Sequence, residues 1–194
     1  MIIIQQGINT KERIKMTRLL RLEKGNEDAL KGENSEIING VAYEKPELDE
    51  AHKDIVRYLH AASSRYVLTH RPLDKLAMPH DPLVIDAEVL PNTILRPEIA
   101  MQIKDESFPA WVVEIASEEN MEVAYLEKMN IYMAAGVKEY WVIDPVKQVI
   151  LSYNFVKNPW IPAIYDSPQR IKVTVYKDYF ISYSEIFKDR SEEE

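Results

Sequence analysis

Two short apolar segments, 111–116 (WVVEIA) and 138–143 (KEYWVI), stand one helix length apart. That spacing constrains the fold more than any other feature of the chain. Their β-branched and aromatic content reads as strands. Residues 118–135 between them read as a helix, which Gly136 ends by supplying a left-handed C-terminal position. Asp144-Pro145 closes the second strand. Around this strand–helix–strand unit lie strand candidates at 65–70, 83–90 and 94–101, bounded by Pro72, Pro79, Pro91 and Pro97. Residues 148–155 and 171–176 read as a later pair separated by a proline-containing loop, and 182–187 as a short terminal helix. The expected class is α/β (α+β), a central mixed sheet flanked by helices.

Upstream, Pro46 opens a helix over about 46–63, in which His52, Ile55, Leu59 and Ala62 recur at helical spacing. Ile37-Ile38 followed by Asn39-Gly40 reads as an extended piece and a turn. The first 35 residues read as a loosely attached helical extension, with Thr10 as a cap and Gly25-Asn26 as a stop. The expected organisation is that extension followed by one domain over 36–190, a size the 194 residues support.

Composition removes several chemistries. The chain has no cysteine, so disulfides, thiolate zinc sites and cysteine nucleophiles are excluded, in agreement with a reducing cytoplasm. No apolar run is long enough for a membrane span, and the N-terminus lacks the basic region and apolar core of a signal peptide. Asp plus Glu number 32 against 24 Lys plus Arg, a net charge of −8. A protein that neutralises many phosphates of long DNA usually carries a basic surplus. Either a local basic patch exists, or nucleic-acid contact is small, or nucleic acid is not the substrate.

Three side chains stand out. On the 111–116 strand, Trp111, Val113 and Ile115 share one face, and Val112, Glu114 and Ala116 the other. Glu114 is thus a carboxylate inside an apolar strand, and burying it unpartnered costs several kcal/mol, of order the effective penalty per buried ion. It needs a cation, a hydrogen-bond partner or an open cleft, and a structural salt bridge would also answer. On the following helix, Met121, Tyr125, Lys128 and Tyr132 share a face, with Lys128 its single formal charge; a lysine stem packed between tyrosines is the plain alternative. Glu98 follows Pro97 at the start of an apolar strand. Asp86 and Glu88 form a further acidic pair on one face of 83–90. Two carboxylates on neighbouring strands suit a hard, oxygen-seeking cation such as Mg²⁺, and a nearby lysine offsets charge at a phosphoryl group.

These words occur in a recognisable order. Pro97-Glu98, Val112-Val113-Glu114, Lys128 with Tyr132, then Gly136-Val137-Lys138-Glu139-Tyr140-Trp141 and Asp144-Pro145 resemble the putative restriction endonuclease family of bacteria, a branch of the PD-(D/E)XK nuclease superfamily. Ile38-Asn39-Gly40, the helix with His52, and Ile186-Phe187 are similar to the family's opening and close. The resemblance implies a restriction-endonuclease-like fold and a Mg²⁺ (or Mn²⁺) site that hydrolyses phosphodiester bonds of DNA. Glu98 and Glu114 would be the metal ligands and, with Lys128, the catalytic residues; the expected assembly is a homodimer. The place two residues after the second acid, lysine in the parent superfamily, is Ala116. The chain departs from the pattern at Glu98 (for Asp), at Val41 (for an acid after the turn) and at Ser117-Glu118-Glu119 (for Ser-Pro-Ser). These departures keep open a module that retains the fold and lacks turnover; a phosphodiesterase for a small substrate is the third reading.

Overall fold

The computed structural model describes residues 20–21, 35–45, 49–85, 90, 92–117 and 123–188. Strands β1 (Leu20–Arg21), β2 (Ser35–Ile38) and β3 (Val41–Glu44) open the order, followed by helix α1 (Glu50–His70). Strands β4 (Lys75–Leu76), β5 (Leu83–Val84), β6 (Ile94–Leu95), β7 (Ile99–Gln102) and β8 (Trp111–Ile115) come next. A wide-turned helical segment, Val123–Lys128, then runs into α2 (Met129–Ala134). Strands β9 (Glu139–Asp144), β10 (Val149–Asn154), β11 (Asn158–Tyr165), β12 (Arg170–Lys172) and β13 (Phe180–Ser182) and helix α3 (Tyr183–Ile186) complete the chain.

The main sheet has six strands in the order β11-β10-β9-β8-β7-β4. It is mixed: β8 and β9 pair in parallel, with Glu114 beside Val142, and every other neighbouring pair is antiparallel. The expected strand–helix–strand unit is therefore present, with both strands in one sheet. Gly136 ends α2 at φ +92°, where Val137 N–H donates to Tyr132 O and Gly136 N–H to Met133 O, the double bond of a Schellman cap. A second sheet, β1-β3-β2-β6-β5, is antiparallel throughout. Its β2–β3 hairpin turns at Asn39 and Gly40, both with positive φ, as a two-residue turn of this hand requires.

The core has two parts on opposite faces of the main sheet. Trp111, Val113, Ile115, Trp141 and Ile143 face α1 and the C-terminal segment, packing on Ile55, Leu59, Tyr179 and Ile181. Val112, Ala116, Tyr140 and Val142 face α2 and the second sheet, with Ile38, Leu95, Ile131 and Tyr132.

Several expectations need correction. Residues 65–70 are not a strand: α1 starts after Asp49, whose side chain accepts from His52 N–H, and continues to His70 because Tyr66 remains on its buried face. Arg71-Pro72 stops it. Residues 94–101 are two strands, since the chain passes at Pro97 from the second sheet to the main one. Residues 148–155 pair with β11 rather than with 171–176; β11 contains Pro159 and Pro162, and sits at the sheet edge where a missing N–H is tolerated. Its register shifts between Asn158 and Ala163. Ile171 pairs with Ile181 in a separate ribbon. Leu20–Arg21 is extended, paired with Ala42 and Val41, where a helix was expected. The rest of the 1–35 extension, residues 86–89 and residues 118–122 lie outside the described residues. No helix among the described residues is long and apolar enough to cross a membrane.

Candidate active site

Glu114 lies on β8 and is turned to the α2 side, as the strand alternation requires. There α2 grips it from one helical face. Lys128 and Tyr132, one turn apart, bond its two oxygens: Lys128 Nζ to Oε2 at 2.8 Å and Tyr132 Oη to Oε1 at 2.6 Å. Two members of the stripe read from the sequence, Lys128 and Tyr132, thus converge on the strand acid. The Tyr125 and Met121 side chains lie outside the described residues.

Glu98 precedes β7. Ile99 pairs with Val113 in the antiparallel ladder, so one step further sets Glu98 opposite Glu114. Its Oε2 accepts from Ile115 N–H at 3.0 Å, and its Oε1 accepts from Lys45 Nζ at 2.7 Å. The expected trio of Glu98, Glu114 and Lys128 is therefore brought together, with partners that the sequence reading missed. Glu36 on β2 takes Lys128 Nζ on both oxygens, at 2.9 and 2.7 Å, and accepts Arg96 N–H at 2.7 Å. Lys45, just past β3, also donates to Arg96 O at 2.6 Å. Glu36 shares a strand face with the core residue Ile38, and that alternation is the one signal by which it was findable. Lys45 gives no such signal.

Glu36, Lys45, Glu98, Glu114 and Lys128 are each 1–7% exposed. Three carboxylates face two ammonium groups, one negative charge in excess when all three are ionised. Burial works to raise Glu98, but the Lys45 and Lys128 charges outweigh it and hold it below the usual carboxylate range. At Glu114 burial prevails: with the charges of Glu98 and Glu36 it lifts the carboxyl to about 7, against the pull of Lys128. Burial disfavours the Lys128 cation, yet Glu114 and Glu36 more than compensate and keep it an ammonium. Burial, then Glu114, hold Tyr132 well above its ordinary value, so it remains a phenol donor. His80 closes the cluster beside Glu98, its Nδ1 3.9 Å from Oε1. Its φ of +65° is fixed by its N–H to Pro97 O and by Arg96 Nη1 to its carbonyl. Burial lowers its basicity, and Lys45 adds to that.

The donor set is all carboxylate, the chemistry that a hard divalent cation prefers, and its excess negative charge agrees with such a guest. Each of the six carboxylate oxygens already has a partner within the cluster: five accept a hydrogen bond, and Glu36 Oε2 pairs with the Lys128 ammonium. Among the described residues no group of three or more His, Cys, Asp or Glu side chains is arranged to hold a metal ion. The residues fit the ion in kind, and the lysine ammonium groups hold the positions of positive charge. Ala116, at the place that would carry lysine in the parent superfamily, is buried in the α2-side core and offers no charge. Glu118, Glu119, Asp86 and Glu88 lie outside the described residues.

The comparisons with known proteins bear on the fold and the family. In structure the chain is similar to a crystal structure described as a putative nuclease belonging to DUF820 from Anabaena variabilis. The TM-score is 0.64 at 18% identity, covering 79% of this chain and 89% of that one. That likeness gives the fold, which is restriction-endonuclease-like. No curated protein matches the chain in sequence. The model of the family Uma2, described as putative restriction endonuclease, matches residues 18–177, and the chain belongs to that family.

Proposed function

We propose that the chain is a divalent-metal-dependent endonuclease that hydrolyses phosphodiester bonds of DNA. The observation that carries this reading is that Glu98, one residue before β7, and Glu114 on the neighbouring β8 enter one buried cluster, with Lys128 bonded to Glu114. Glu98 and Glu114 would hold Mg²⁺ or Mn²⁺, with Glu36 as a third acid within reach of the same lysine. Bound there, the ion would supply a Lewis acid and lower the pKa of water.

The rest of the chemistry belongs to side chains. Tyr132 fixes the Glu114 carboxylate by donating to Oε1, which leaves its rotamer little freedom. Glu98 is held ionised by Lys45 and oriented by Ile115 N–H. Lys128 presents a fixed positive charge in a low-dielectric site, where it offsets charge that develops on a phosphoryl oxygen. Loss of one such donor costs about two to three orders of magnitude in turnover, and Lys128→Ala is expected to do so.

Plasmid nicking with and without Mg²⁺ or Mn²⁺, by wild type and by Glu114→Ala, tests the reading. Nicking that needs the ion and disappears in the variant supports it. Equal nicking by both proteins, or none by the wild type, removes it. One observation favours a second reading, a nuclease-fold module without turnover: the cluster is internally satisfied, each of the six carboxylate oxygens having a hydrogen-bond or ion-pair partner. A wild type that binds DNA and never nicks it would support this second reading.

A further inference from the structure

A cavity of about 510 Å³ opens on the α1 side of the main sheet, between α1 and the β12–β13 ribbon. It lies on the face opposite the one that Glu114 enters, and none of its lining residues belongs to the carboxylate cluster. Ala61 and Ala62 line it with short side chains, which leaves the space open. Tyr66 and Tyr179, stacked at 4.4 Å between ring centroids, give it a buried wall. Its volume falls in the range of small-molecule sites, about 300–1,000 Å³.

The polar groups of this cavity are unpaired. Of the arginines whose side chains are described, Arg57 and Arg71 pair with carboxylates and Arg96 donates to backbone carbonyls. Arg65 and Arg170 have no hydrogen-bond or ion-pair partner among the described residues, and both line the cavity. Acids outnumber Lys plus Arg by 32 to 24 in the chain, so a want of carboxylates is not the cause. Asp178, the one carboxylate in the lining, has no hydrogen-bond partner among the described residues either. The Arg170 guanidinium carbon lies 4.7 Å from the centroid of the Phe180 ring, which is 40% exposed. A guanidinium held over a ring keeps its N–H donors, which match the oxygens of a phosphate two at a time. The ring and the guanidinium also offer flat faces on which a base stacks.

We propose that this cavity binds a mononucleotide, with its phosphate on Arg65 and Arg170 and its base against Phe180. An inorganic anion would use the two arginines and leave the ring bare. An apolar ligand would leave both arginines and Asp178 unpaired, which burial makes costly. A mononucleotide uses all of them, since a sugar hydroxyl or a base amino group donates to Asp178. The same chemistry occurs in a free nucleotide and at the end of a single strand, and the limited volume favours the free one. The site goes beyond the nuclease reading: it shares no residue with Glu98, Glu114 and Lys128, and occupancy requires no metal and no turnover.

Calorimetry on the whole chain in metal-free, low-salt buffer tests this without any activity measurement. The probes are AMP, GMP, CMP and UMP, their nucleosides, and inorganic phosphate. At least one monophosphate is expected to bind more tightly than its own nucleoside and than phosphate. Arg65→Ala and Arg170→Ala are each expected to weaken it about tenfold, the scale of one hydrogen bond to a charged group. Both side chains are exposed, so the fold should survive, and an unchanged unfolding temperature checks that. Glu114→Gln is expected to leave nucleotide binding as it is. No binding of any monophosphate at millimolar concentration overturns the assignment, as does phosphate binding equally well or affinity unmoved in both arginine variants. Binding lost in Glu114→Gln places the nucleotide at the carboxylate cluster and overturns it too. A single-stranded oligonucleotide that binds more tightly than every mononucleotide, and loses that binding in both arginine variants, overturns the free nucleotide and gives the cavity to a strand end.

Discussion

The two faces of strand β8 carry opposite chemistries one residue apart. Trp111, Val113 and Ile115 enter an apolar core under α1, where Trp111 meets Trp141 and Tyr179 edge-on at 5.2 and 5.7 Å between ring centroids. Glu114, on the reverse face, enters a cluster of three carboxylates and two ammonium groups. The first face stabilises by removing apolar area from water. The second is at best neutral, since taking ions out of water costs about what their pairing returns. A fold needs the first face for stability, whereas the second has to be explained by what it does.

Substitutions on the two faces should therefore differ in kind. Trp111→Ala is expected to cost about 3–5 kcal/mol of stability, measured by urea unfolding, through lost transfer energy and an unfilled cavity. A cost under about 1 kcal/mol would break the comparison on the apolar side. Lys128→Met strands Glu114 and Glu36 without their cation, and is expected to cost about 3–5 kcal/mol as well. Removing Lys128 together with both carboxylates it bonds, as Glu36→Gln, Glu114→Leu and Lys128→Met together, should be far milder than Lys128→Met alone. The Gln keeps an acceptor for Arg96 N–H. If the combined variant is the less stable of the two, the ionic face contributes to stability and the contrast fails.

A gentler effect comes from pH. The folded carboxyl of Glu114 is raised to about 7, above an unfolded value of about 4.3. The folded state then binds the proton more tightly. The stability from this group is fully present below the unfolded value and is lost as pH rises through about 7. Unfolding in metal-free buffer at a series of pH values should show that decline in wild type and its absence in Glu114→Gln. Mn²⁺ affinity should run the other way, rising through about pH 7 as the carboxylate becomes free of its proton. The smallest change is expected far from both faces. Trp160 on β11 is 64% exposed, and Trp160→Ser should alter stability by no more than about 0.5 kcal/mol.

The apolar half of this comparison was legible in the sequence and the ionic half only in part. The β8–helix–β9 unit follows from apolar runs, a helical stripe and Gly136, all local signals. Glu98, Glu114 and Lys128 were findable because an ionisable residue interrupts an apolar pattern. Glu36 and Lys45 reach the same point from 92 and 53 residues away from their partners Lys128 and Glu98, and no spacing rule reaches that far. The reading of 65–70 as a strand failed for a related reason. Tyr66, Val67 and Leu68 favour strands taken alone, whereas α1 is already nucleated and each added turn costs little. Residues 158–165 were passed over because two prolines signalled a loop, although a sheet edge accommodates proline.

Those prolines bear on how the molecule behaves in a crowd of its own kind. An outer strand of eight residues displaying Trp160, Ile161 and Ile164 to solvent is the shape from which fibrils grow by stacking strand on strand. Growth needs an unbroken row of N–H donors in steady register. Pro159 and Pro162 delete two donors, and the register shift across the same stretch bends what remains. The apolar rim is left with an interrupted template, and the chain is expected to resist strand-on-strand growth along it.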